Sequence, residues 1–111
     1  MKSWKTEAQL KQLLADFEME RGEDWIMLAA VSTGIREELG LSDDQQVKDY
    51  SLELVRMMLE RGFRAGQFRH YGDTDFIPWP DQSPEVVLGR IDREWDAAKG
   101  DPGINDICWF E

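Results

Sequence analysis

Glycine punctuation constrains this chain most. Gly22, Gly40, Gly62 and Gly100 each follow a run whose apolar residues recur three and four positions apart. Glycine ends helices readily because it enters the left-handed region without a Cβ penalty. The chain is thereby cut into short amphipathic helices that must bury their stripes against one another. Leu10, Leu13, Leu14 and Phe17 predict a helix over 7–20, opened by Thr6 and Gln9 as a capping box. Asp24 is the expected cap of the next helix, whose inner stripe is Leu28, Val31, Ile35 and Leu39 before Gly40. Ser42 and Gln45 form a second capping box for a short helix through Val47. Asp49 or Ser51 then caps a helix reaching Arg61.

Beyond Gly62 the pattern changes to strand. Phe63–Tyr71 and Asp75–Trp79 are β-prone runs joined by a turn at Tyr71-Gly72-Asp73-Thr74. Pro78 and Pro80 confine the second run to a sheet edge, since proline has no N–H for a ladder. Ser83-Pro84-Glu85 is a helix start, and Pro84, Leu88, Ile91, Trp95 and Ala98 form the expected buried stripe up to Gly100. Ile107-Cys108-Trp109-Phe110 is short and apolar enough to be a strand. Trp95 and Trp109 are expected to be buried near each other. The reading is an α+β fold: one helix-rich domain over 1–111, with a small antiparallel sheet and a winged-helix-like centre. With 111 residues, 41% apolar, and five each of Trp, Phe and Met, the chain can build a real core. A disordered acidic tail would carry far fewer aromatics.

The C-terminal third also resembles a group of small bacterial proteins without assigned chemistry. The residues that carry the likeness are Glu85-x5-Ile91-x3-Trp95, then Asp101-Pro102, then Asp106-Ile107-x-Trp109-Phe110. It extends over roughly residues 38–111 and implies a bacterial origin.

Several function classes drop out on residue chemistry. No stretch approaches the roughly 18 apolar residues of a membrane span, and no signal-peptide pattern opens the chain. One cysteine, Cys108, permits no intrachain disulfide and suits a reducing cytoplasm. One Cys and one His cannot supply the three or four N/S ligands of a typical zinc site. His70 has Asp73 and Asp75 nearby in sequence, yet no nucleophile motif accompanies it, so it reads as a hairpin residue. Asp73-Thr74-Asp75 lacks the rest of a calcium loop, and neither phosphate-cradling glycine motif occurs. The expectation is a protein without catalytic residues, metal or cofactor.

Charge supplies the positive expectation. Asp and Glu number 23 against 13 Lys and Arg, a net charge of −10. Residues 81–111 hold eight acids against Arg90, Arg93 and Lys99, a balance of −5, whereas residues 48–70 are mildly basic. On helix 84–99, Glu85, Asp92 and Asp96 fall along one line, and Gly89 between them leaves a notch. Such a line suits a basic protein partner, as an immunity or inhibitor protein would use, and complementary charge would speed encounter. Helix 49–61 is expected to turn Leu52, Val55, Met58 and Leu59 inward and to carry a second stripe of Tyr50, Leu54, Met57 and Arg61. That stripe is either sandwiched inside the domain or another partner surface. The alternative is a winged-helix transcription regulator, with helix 49–61 in the major groove and Arg61, Arg64 and Arg69 on the backbone. Glu53 and Glu60 on the outer face oppose phosphate contact, which makes nucleic acid the weaker expectation.

Overall fold

A computed structural model describes residues 4–23, 25–68, 75–98 and 107–111. Its elements are α1 (Trp4–Glu20), β1 (Ile26–Met27), α2 (Leu28–Leu39), α3 (Asp44–Glu60), β2 (Ala65–Phe68), β3 (Phe76–Pro78), α4 (Pro84–Ala98) and β4 (Trp109–Phe110). The four strands form one antiparallel sheet in the order β1-β4-β2-β3, so the class is α+β. The radius of gyration, 13.2 Å, is that of a well-packed chain of this length, about 13 Å. Among the described residues no helix is long and apolar enough to cross a membrane.

The glycine boundaries hold. Gly22, Gly40 and Gly62 all have positive φ, and Gly40 closes α2 by donating its N–H to the Arg36 carbonyl. The helix starts differ from expectation. Thr6 lies inside the first turn of α1, which begins at Trp4. One helix, α3, stands where two were expected: Asp43, not Ser42, is its cap, accepting from the backbone N–H of Gln45 (2.8 Å) and Gln46 (3.3 Å). Asp49 and Ser51 continue that helix because no glycine or proline interrupts it. The hairpin turn 71–74 and the stop at Gly100 lie outside the described residues, as does Asp24, but Asp24 is not the cap of α2: that helix begins at Leu28, with Met27 in the N-cap position and no side-chain cap.

β1 is an addition, and it explains how α2 starts without a side-chain cap. Met27 is extended at the helix entrance, and the Leu28 N–H donates to the Cys108 carbonyl at 3.1 Å. The strand next door thus satisfies a donor that a capping side chain would otherwise take. At the far end of α1, Arg21 donates to the carbonyls of Arg61 (3.1 Å) and Gly62 (2.7 Å), which α3 leaves open, and lies over the Phe63 ring. One guanidinium therefore ties the ends of two helices together.

β4 enters the sheet between β1 and β2. Ile26, Phe110 and Ala65 are cross-strand neighbours on the buried face, each essentially inaccessible. The helix–helix–hairpin order at the centre stands, but β4 separates β1 from that hairpin, and β3 is the edge strand, as Pro78 requires. The hairpin closes tightly on Gly66. A β-carbon there would lie 2.4 Å from the Ile77 carbonyl oxygen and 2.8 Å from the Pro78 Cα, both backbone atoms that cannot turn aside. Gly66→Ala is expected to cost about 1–3 kcal/mol as overpacking. An unchanged urea midpoint would contradict this strand contact.

The core stripes follow helical period with one rotation. Leu10, Leu13, Leu14 and Phe17 of α1 and Leu28, Val31 and Ile35 of α2 are buried as expected, and Leu39 is half-buried. On α4 the deepest line is Val87, Ile91 and Trp95, while Leu88 and Pro84 are only half-buried. Trp95 is buried, but Trp109 is half-buried and meets Phe68 edge-on with ring centroids 5.2 Å apart. Trp109 points to the opposite sheet face from Phe110, as strand alternation dictates.

Candidate functional site

α3 is the central helix. It packs against α1, α2 and α4, and this cover decides the fate of its second apolar stripe. Leu54 is fully buried, and Tyr50 and Met57 are partly buried against the core. Leu54 therefore cannot serve as a partner contact: its side chain is core, enclosed by neighbouring helices. The sandwiched reading of the two stripes is the one the packing realises.

The acidic line on α4 is built in a way that helical spacing alone does not reveal. Glu85 stands exposed in the first turn. Asp92 and Asp96, one turn apart, both close on the Lys48 Nζ of α3; the Asp96 contact is 2.6 Å. The Lys48 side chain is only 8% exposed, whereas those of Asp92 and Asp96 are 53% and 71% exposed. The lysine stem lies in the α3–α4 seam and presents its ammonium at the surface between two carboxylates, a form of snorkelling. Burial disfavours the ammonium, but the hydrogen bonds and charges of Asp92 and Asp96 outweigh it and raise the Lys48 pKa above its ordinary value. The two aspartates are thus anchored, and part of their charge is spent within the fold.

Beside this triad, a groove of about 300 Å³ runs between α3 and α4. From α3 it receives Asp49, Leu52, Glu53 and Arg56, and from α4 Leu88, Gly89 and Asp92. Three carboxylates face one guanidinium. Asp49 is held by the side-chain amide of Gln45 at 2.9 Å, which fixes its direction. Gly89 lines the α4 side of the groove. A β-carbon there would meet only the Arg93 Nη1 at 3.4 Å, an ordinary contact at the end of a flexible side chain, so helix packing does not demand glycine. Sequence reading found Gly89 and Asp92 but missed Asp49 and Glu53. Their signal is a pair of like charges four residues apart on α3.

Two arginines of the centre are engaged elsewhere. Arg61 pairs with Glu18 of α1 at 3.3 Å, and Arg64 pairs with Glu111. Arg69 and His70 lie outside the described residues, as do Asp73, Thr74, Asp101 and Asp106. Asp75 is exposed. Asp81 accepts from the Ser83 N–H at 2.8 Å, and that hydrogen bond lowers its pKa. Cys108 is a core residue. Burial, reinforced by Glu94 and opposed by Arg90, pushes its thiol far above the usual range, which makes it a poor nucleophile. Among the described residues no three His, Cys, Asp or Glu side chains gather to hold a metal ion. No family model, curated protein or solved structure matches the chain.

Proposed function

We propose that this chain is a non-catalytic, cytoplasmic protein-binding domain that captures a basic partner on the α3–α4 groove, in the manner of a bacterial immunity or inhibitor protein. The observation that carries the reading is the coincidence of two local costs at one place. Asp49 and Glu53 are like charges at i and i+4, which weakens a helix by roughly 0.2–0.5 kcal/mol. Gly89 sits in a helix interior where packing does not call for it, at roughly 0.5–1 kcal/mol relative to alanine. Sequences break local rules where function asks for it. A cationic side chain entering over Gly89 would meet the carboxylates of Asp49, Glu53 and Asp92.

The experiment is an affinity capture from bacterial cells with the wild-type chain and with Asp49→Lys/Glu53→Lys as paired baits. A basic protein retained by the first and lost from the second is the expected result. Equal retention by both would move the interface off this groove.

Sequence-specific DNA binding has less support. The would-be recognition helix α3 is covered by three other helices, and Arg61 and Arg64 already neutralise carboxylates. Phosphate neutralisation supplies most non-specific affinity, and a −10 chain opposes it. No appreciable binding to random duplex at physiological salt is expected by fluorescence anisotropy. Micromolar binding that falls steeply with salt would restore the winged-helix regulator.

A further inference from the structure

A second groove lies between α1 and α2. The two helices run antiparallel: the Gln9 side chain reaches the Glu38 carbonyl at 3.0 Å, and Leu13 lies against Gly34. A β-carbon on Gly34 would come within 3.3 Å of the Leu13 Cδ2, so the helices approach closely there and leave a shallow trough of about 410 Å³ above. Leu13 and Phe17 form one wall, while the small residues Ala29, Ala30 and Thr33 keep the other wall low. Asp16, Glu20 and Glu37 stand along it, and among the described residues no basic side chain lines it. Asp16 accepts from Gln12 at 3.0 Å; Glu20 and Glu37 are exposed.

We infer that this trough docks one amphipathic helix with a basic polar face, contributed by another protein. The floor is apolar, and every charged residue among the described lining is a carboxylate, so a helix bearing Leu-type anchors flanked by Lys or Arg complements both features. On α1 the walls extend from Leu13 to Glu20, roughly 10 Å at 1.5 Å per residue, which accommodates about two turns of a guest helix. A second copy of this chain would bring its own Asp16, Glu20 and Glu37 against the same three, and anionic lipid would be repelled likewise. Charge therefore selects a cationic guest. The surface is separate from the α3–α4 groove, and this inference does not rest on that reading.

The probe is a Leu/Lys model helix of about 14 residues, some 21 Å long, with leucines at i, i+3, i+4 and i+7. A scrambled peptide of equal charge serves as control. Titration followed by ¹H–¹⁵N NMR is expected to shift residues 13–20 and 27–37 for the patterned peptide and to bind the scrambled one far more weakly. Thr33→Arg, at an exposed position, places a like charge in the trough and should weaken binding by about tenfold or more. Glu20→Lys/Glu37→Lys is an independent second variant, expected to weaken binding and to flatten its salt dependence. Asp49→Lys/Glu53→Lys should leave the location of the shifts, residues 13–20 and 27–37, the same. Equal affinity for both peptides, shifts centred on the α3–α4 groove, self-association through this face in sedimentation, or indifference to Thr33→Arg would each overturn the inference.

Discussion

Trp95→Ala is expected to lower the stability of the domain by about 3–5 kcal/mol, the range for removing a large buried aromatic. Trp95 is 4% exposed, in line with the fully buried Val87 and Ile91 on the face by which α4 joins the core. A domain of this size has only about 5–15 kcal/mol to lose, so the variant should unfold near the start of the wild-type urea transition. Trp109→Ala is the internal comparison. Trp109 is half-buried and gains from its edge-on contact with Phe68, so its loss should cost roughly 1–2 kcal/mol. Equal shifts of the urea midpoint for the two variants would contradict the assignment of Trp95 to the core and Trp109 to the open sheet face.

Reversing Asp92 and Asp96 to lysine should be nearly as damaging, although both side chains are more than half exposed. An ordinary surface reversal stays within about 0.5 kcal/mol. Here it would leave the seam-buried Lys48 facing two further ammonium groups. Removing the partners of a buried charge costs about 3–5 kcal/mol, and water at the exposed carboxylates reduces that to roughly 2–4 kcal/mol. Replacing the whole triad by Lys48→Met with Asp92→Asn and Asp96→Asn should be far milder, because no buried charge is left uncompensated. The same triad sets an alkaline dependence. The Lys48 pKa is raised in the folded state, so its contribution is fully present below the ordinary value of 10.5 and is lost as pH rises through the folded value. Thermal melts above that ordinary value should show wild type losing stability that the triple variant does not lose. A charge-reversed protein as stable as wild type would mean that Lys48 finds solvent without its partners.

Much of the fold was legible because helix ends are local events. Gly22, Gly40 and Gly62 announce themselves, and the stripes of α1 and α2 need only a period of 3.6. The caps were less legible: Ser42, Asp43 and Asp44 are consecutive candidates, each with a side chain able to cap, and Asp43 is the one that does so. β1 and β4 are two residues each, below the length at which alternation exists as a signal, and they are paired across more than eighty positions. The acidic line on α4 was readable as spacing, but its meaning was not. Lys48 lies one position from Val47 and in register with Ser51, Val55 and Met58 on the buried side of α3. A cation on an inner stripe, in a chain that elsewhere carries aspartates at i and i+4, is the pattern that could have revealed the triad. The stripe of Leu54 and Met57 stayed open between burial and a partner surface because a sequence does not say how many helices surround one helix.

The central claim is that the α3–α4 groove is where a basic partner is met. Its most direct test is the association rate of the captured partner with wild type and with Asp49→Lys/Glu53→Lys, measured at low and at physiological salt. Steering charges act over a Debye length of about 8 Å at physiological salt and over more at low salt. The expected result is a slower association for the variant and a flatter dependence on salt, with the urea midpoint little changed. Association as fast as wild type at low salt would show that Asp49 and Glu53 are merely solvated, and that the groove over Gly89 is not the binding site.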